Sequence, residues 1–145
     1  MATQIRKLLV PHDFSDAADG ALRYAIDLAA KLGAEVLVVH AWQLSAYASP
    51  SSDLAKGLER DLARDLEKVI AKHATAGVPI TQELRLGIPY VEICAAATAA
   101  NADMIVMGTT GKTGIEHFLL GSVAERIVRT SSVPVLTIRH ATKAA

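Results

Sequence analysis

Ile5 to Val39 reads IRKLLVPHDFSDAADGALRYAIDLAAKLGAEVLVV. Ile5 to Val10 ends in an apolar run closed by Pro11, without the polar alternation of a half-exposed strand, and predicts a strand buried on both faces. The period then changes. Ala21, Leu22, Ala25, Ile26 and Ala29 share one face of a helix over Ser15 to Leu32, with Ser15 suited to the N-cap and Gly33 to the C-terminal cap. Val36 to Val39 is a second β-branched and leucine run, hence a second buried strand.

The same alternation continues along the chain. Trp42 to Gly57 is rich in Ser and Ala, with Pro50 inside it, and reads as a long surface loop. Leu58 to His73 carries a stripe of Leu58, Leu62, Leu66, Val69 and Ile70 on an otherwise charged helix. Ile80 to Leu84 predicts a third strand, Pro89 to Ala100 a helix with proline in its first turn, and Met104 to Met107 a fourth strand. A helix opening at Gly121 and Ser122 and running to Thr130 precedes a fifth strand, Val133 to Ile138. Five apolar strands separated by helices give an α/β fold, a parallel sheet with helices on both faces. Such sheets bind ligands beyond the carboxyl ends of their strands, where the strand order reverses. The loops after Val10, Val39, Leu84 and Met107 are therefore the candidate site.

Composition narrows the function classes. The 145 residues are 51% hydrophobic and 21% charged, the balance of a globular chain with one core. Fifteen basic residues offset fifteen acidic ones, which removes the electrostatic argument for nucleic acid or an anionic membrane as partner. The lone Cys94 fits a reducing compartment. Leu8 to Pro11 is too short for a signal-peptide core, and no segment approaches the roughly 20 apolar residues of a membrane span. The expected location is the cytoplasm.

Glycines cluster after the fourth strand, at Gly108, Gly111 and Gly114, with Gly121 and Ser122 ahead of the next helix. Glycines let backbone N–H groups approach an anion, and a helix N-terminus adds unpaired donors and a favourable dipole. A phosphate cradle is the expectation, with Ser122 adding a hydroxyl and Lys112 or Thr113 reaching a terminal phosphate. The run Gly111-Lys112-Thr113 is not a P-loop, because the glycine that motif requires five positions earlier is Val106, inside the strand. In the first loop, Asp13 can accept from a ribose hydroxyl or an adenine amino group, or it can support the cap of the following helix. The histidines at 12, 40, 73, 117 and 140 show no metal-ligand spacing, although His12 and His40 end neighbouring strands and can approach one another. No catalytic residue is assigned: Cys94 and Ser122 lack an evident base, and Glu116 and His117 are the available candidate bases.

Pro11-His12-Asp13-Phe14-Ser15, Val38-Val39-His40-Ala41, Gly87-Ile88-Pro89 and the block Ala102 to Arg139 resemble the universal stress protein family, in its ATP-binding, single-domain type. The core of that block is Gly108, two residues, Gly111, nine residues, then Gly121 and Ser122; it is similar to the family's nucleotide signature, and Val123-Ala124-Glu125-Arg126 and Val133-Pro134-Val135 are equally typical. The resemblance covers nearly the whole chain and implies one domain over 1–145. It implies an open five-stranded sheet in the order 3-2-1-4-5, Rossmann-like and of the adenine nucleotide alpha hydrolase type. Pro11, Asp13 and the Ala41 backbone would surround adenosine, Met107 and Gly108 would line the nucleotide, and Gly111, Gly121, Ser122 and Val123 would hold the phosphates of ATP with its Mg or Mn ion. His12 stands where many members carry Thr or Val, and Ala41 where many carry Val. A homodimer through Val133 to Ile138 is implied, as is a further protein partner of unstated identity. The functional expectation is a regulatory, nucleotide-dependent role in the stress response. A slow ATP hydrolase or nucleotidyl transferase, and an interaction protein with a structural nucleotide site, stand as alternatives.

Overall fold

The computed structural model describes residues 3–110 and 120–139. Its strands are β1 (Lys7–Pro11), β2 (Glu35–Trp42), β3 (Ile80–Leu86), β4 (Met104–Gly108) and β5 (Val135–Ile138). Its helices are α1 (Asp16–Leu32), α2 (Asp53–His73), α3 (Pro89–Ala99) and α4 (Ser122–Thr130). Every strand pairing is parallel, and the sheet order is β3-β2-β1-β4-β5. The order reverses between β1 and β4, so the loops leaving those two strands diverge and open a crevice.

The unbroken apolar runs have a simple cause. Successive strand residues point to opposite faces, and both faces are covered. Leu8, Val10, Val36, Val38 and Val106 pack on one face with Leu22 and Ile26 of α1 and Leu66 of α2. Leu9, Leu37, Val39, Ile105 and Met107 pack on the other with Ile93 of α3 and Ile127 of α4. Seven of these strand side chains, Leu8, Leu9, Val10, Val38, Val39, Ile105 and Val106, have no measurable exposure, so the three inner strands β2, β1 and β4 are the driest part of the sheet. Among the described residues no helix is long and apolar enough to cross a membrane.

Element boundaries depart from the sequence pattern where long-range pairing decides them. β2 runs on to Trp42 because β3 pairs with it over its whole length, Trp42 opposite Leu86, and the Gly87 N–H then donates to the Trp42 carbonyl at 2.8 Å. The loop expected over 42–57 is thereby shortened from both ends. Ser52 caps α2 by accepting the Ala55 N–H, and Ala55 is buried, so the helix starts at Asp53. Leu58, expected on the buried stripe, is 41% exposed instead, and α2 is anchored by Ala55 and Leu66. β5 begins at Val135 and not at Val133; Pro134 contributes its carbonyl to the Ile105 N–H, 2.9 Å, just before the strand proper.

Candidate functional site

The carboxyl ends of β1, β2 and β4 and the N-termini of α3 and α4 enclose a cleft of about 310 Å3, within the range of small-molecule sites. β1 supplies Pro11 and the loop after it Asp13; β2 supplies Val39 and Ala41. Met107 and Gly108 come from the end of β4, and Gly121, Ser122 and Val123 from the start of α4. Of the residues expected to hold a nucleotide, Gly111 lies outside the described residues, as do Lys112, Thr113, Glu116 and His117; Pro11, Asp13, Ala41, Met107, Gly108, Gly121, Ser122 and Val123 share this one cavity, and His40 and Cys94 do not line it. His12 also lines the cleft, and Pro89 and Ile93 of α3, Ala18 of α1, Ala124 of α4 and Thr110, none of them expected from the sequence, complete the wall.

Each end of the cleft is shaped by a separate set of contacts. In the first loop Ser15 caps α1 by accepting the Ala18 N–H at 3.1 Å, and Asp13 Oδ1 accepts the Ser15 N–H at 3.0 Å. Asp13 thus performs the capping task that the sequence allowed, while the same residue lines the cleft. His12 is 3% exposed and anchored throughout: its N–H donates to the Val39 carbonyl at 2.9 Å, and its carbonyl accepts from His40 Nδ1 at 2.8 Å. Its ring accepts the Phe14 N–H at Nδ1, 3.0 Å, and bonds Asp19 Oδ1 through Nε2, 2.8 Å. Burial pushes His12 below the ordinary imidazole value of 6.5, outweighing the pull of Asp19. The Asp19 carboxyl also lies below its ordinary range: burial opposes this, but the His12 bond with the nearby His73 and Lys72 prevails.

At the other end, backbone geometry dominates. A Cβ on Gly108 would lie 3.1 Å from the Ala17 carbonyl oxygen, so the absence of a side chain lets the start of α1 close against β4. Thr109 donates its N–H to the Ile138 carbonyl at 3.1 Å and accepts the Gly121 N–H at 2.5 Å. These bonds hold the ends of β4 and β5 and the start of α4 together. Among the described residues no side chain caps α3 or α4, in contrast to the serine caps of α1 and α2. The first N–H groups of α4 therefore stand at the cleft without a capping side chain, with the positive end of the helix dipole. Arg126 of α4 lies 5.2 Å from the Tyr90 ring centroid and joins the two helices beside the cleft.

The result is a cleft with a broad apolar lining, one carboxylate near its β1 end and backbone donors at its α4 end. That chemistry suits a flat apolar ring carrying an anionic tail. His12 and His40 do meet, through a ring-to-carbonyl bond. Among the described residues no group of three His, Cys, Asp or Glu side chains is arranged to hold a metal ion. Burial pushes the Cys94 thiol up, which leaves it protonated and poorly nucleophilic.

The model of the universal stress protein family matches residues 4–139. A universal stress protein of Methanocaldococcus jannaschii, MJ0531, is 38% identical over 143 residues, spanning 95% of this chain and 84% of that protein. The solved structure of MJ0577 from the same organism superposes with a TM-score of 0.80 at 27% identity, over 97% of this chain and 100% of that one. The crystal structure of a universal stress protein in complex with cAMP superposes with a TM-score of 0.70 at 25% identity, over 97% of this chain and 100% of the other.

Proposed function

The chain belongs to the universal stress protein family, and on that premise we propose that its cleft binds an adenine nucleotide, ATP with a Mg or Mn ion on its phosphates. Occupancy would regulate contacts with a second copy or with a protein partner during the stress response in the cytoplasm. The observation that carries this reading is the pairing of an apolar slot between Pro11, Ala41 and Met107 with the α4 N-terminus at Gly121 to Val123. An adenine ring fills the first, and phosphates accept from the second. Asp13 is the acceptor for ribose hydroxyls, and Ser122 adds a hydroxyl donor to the phosphates. A metal ion would be held through the phosphates and would offset their charge. The relative crystallised with cAMP supports the adenine part of this reading.

The homodimer belongs to the same reading. β3 and β5 are the two edges of the sheet. β3 carries Glu83 and Arg85; Arg85 pairs with both Glu83 and Glu92, and these charges discourage association. β5 carries Val135, Leu136, Thr137 and Ile138, each half-buried, and a second copy related by a two-fold axis would complete their burial. Light scattering on the dilute protein tests this: a dimer mass is expected, and a monomer removes the proposal.

For the nucleotide, the protein is denatured and any released ligand identified by mass; the emptied protein is then titrated with ATP and Mg2+ by calorimetry. Carried-over ATP or ADP, or a Kd of about 1 μM or tighter, is the expected result. Finding neither nucleotide nor heat would sink the reading. Phosphate release during the same titration separates a hydrolase from a binding protein.

A further inference from the structure

We propose that His12 is a positioning residue of the cleft: its neutral ring holds the loop 11–15 in the shape that receives the nucleoside, so that protonating this one imidazole weakens binding. The inference rests on the nucleotide reading above and adds a regulation that the reading does not contain.

Hydrogen-bond polarity fixes the protonation of the His12 ring. The Phe14 N–H points at His12 Nδ1 from 3.0 Å, and a ring nitrogen can accept only when it carries no proton. The proton of the neutral ring is therefore on Nε2, where it donates to Asp19 Oδ1. His40 must donate from its own Nδ1 to the His12 carbonyl, a bond that survives whether His40 is neutral or charged. His12 thus differs from His40: a second proton can arrive only at Nδ1, and there it replaces an acceptor by a donor facing another donor.

The bond at risk maintains an unusual backbone. Phe14 has φ +65°, in the left-handed region that side chains other than glycine seldom adopt. Its N–H bond to His12 and its ring contacts hold it there, with centroids 5.7 Å from His12 and 4.7 Å from His40. Asp13 sits between His12 and Phe14, and its bond to the Ser15 N–H depends on the same turn. Losing the Phe14 bond releases the turn that presents Asp13 to the cleft.

Charged and titratable groups reach His12 from three sides. Asp19 of α1 meets Nε2, Asp13 flanks the ring from its own loop, and His40 faces it from β2. Through Asp19 the end of α2 joins in, with Lys72 Nζ at 3.6 Å and His73 Nε2 at 3.5 Å from the carboxylate. The carboxylates favour a charged His12 and burial opposes it; burial prevails, so the neutral ring is the folded form at neutral pH. Since the bound state needs that neutral ring, affinity is level above the titration of His12 and falls as pH drops through it, by at most about tenfold per pH unit for one proton.

Adenosine is the probe, because it has no phosphate to titrate. Calorimetry from about pH 7.5 down to the acid limit of the folded protein is expected to show affinity that is level at first and then falls as His12 protonates, by no more than about tenfold per pH unit. Ring nitrogen NMR shifts of the free protein should report the Nε2–H tautomer at neutral pH, and the Phe14 amide should move with the same midpoint. Adding adenosine should lower that midpoint, as linkage requires. His12→Gln should flatten the profile. Asp19→Asn, which keeps an acceptor for Nε2–H but removes the charge, should move the midpoint further to acid. A pH-independent affinity in the parent protein, a proton on Nδ1 at neutral pH, or a slope retained in His12→Gln each overturns the inference. Binding that is flat with pH overturns this inference alone; no binding of adenosine or ATP at any pH overturns the nucleotide reading and this inference with it.

Discussion

Residues 11–15 keep their side of the cleft in shape with side chains, whereas residues 108–110 and 121–124 keep theirs with backbone. On the first side His12, Asp13, Ser15, Asp19 and His40 are joined by hydrogen bonds, and Phe14 is held at positive φ. On the second, Gly108 lies against Ala17, Gly121 caps α4 through its backbone, and Thr109 is pinned at both its N–H and its carbonyl. The two constructions fail differently. A side-chain network responds to pH and tolerates replacement of one member at modest cost, because neighbouring bonds remain. A backbone cradle is indifferent to pH but leaves little room for a Cβ at Gly108.

The largest effect should come from Gly108→Val. Its branched side chain must enter space already closed by the Ala17 carbonyl, so stability should fall by about 2 kcal/mol in urea titrations. A loss below about 0.5 kcal/mol would mean that α1 retreats freely, and that the second side is softer than drawn here. Next is Gly121→Val. Gly121 has φ −68° and ψ 167°, open to any residue, so the variant should fold. ATP affinity should drop at least tenfold, about 1.4 kcal/mol, with adenosine affinity unchanged. Equal losses for both ligands would abolish the division between a nucleoside side and a phosphate side. Asp13→Ala should do the reverse in kind: adenosine and ATP affinity fall together, by about 1 kcal/mol or about fivefold. A loss confined to ATP would place the carboxylate at the phosphates.

The difference between the two sides also explains how much of the molecule was legible in its sequence. Gly108 declares its task in its residue type, since close packing against the Ala17 backbone is written directly as glycine. The sheet was legible for a similar reason: β1 and β4 are covered on both faces and read as solid apolar runs. The His12 network was legible only in part: its approach to His40 and the Ser15 cap were readable, but its bonds to Asp19 and Phe14 were not. Asp19 lies seven residues from His12, and only the angle at which α1 leaves the loop brings the two within 2.8 Å. The left-handed Phe14 gives no sign in the sequence, because phenylalanine is an unlikely residue for that conformation. Likewise the extension of β2 to Trp42 depends on its pairing with Leu86, and the early start of α2 on the burial of Ala55. Non-local pairing and burial decided these features, and local propensity carried no trace of them.

The smallest effect expected separates the two sides by pH alone. His12 lies below its ordinary value of 6.5 in the folded chain. Above 6.5 the ring is neutral in folded and unfolded chains alike, and the full stability is present. As pH falls through 6.5 the unfolded chain takes up a proton that the fold refuses, so stability declines until the lower folded value is passed. Asp19, lowered from 3.8, acts in a separate window: its contribution is whole above 3.8 and is lost as pH falls through its folded value. Urea titrations at about pH 7.5 and about pH 5.5 therefore sample His12 and not Asp19. The parent protein should be less stable at the lower pH, and His12→Gln should lose that part of the difference, while Gly121→Val should retain it in full. If Gly121→Val and His12→Gln respond to acid alike, the decline arises elsewhere in the chain, and the assignment of pH sensitivity to the side-chain wall is wrong.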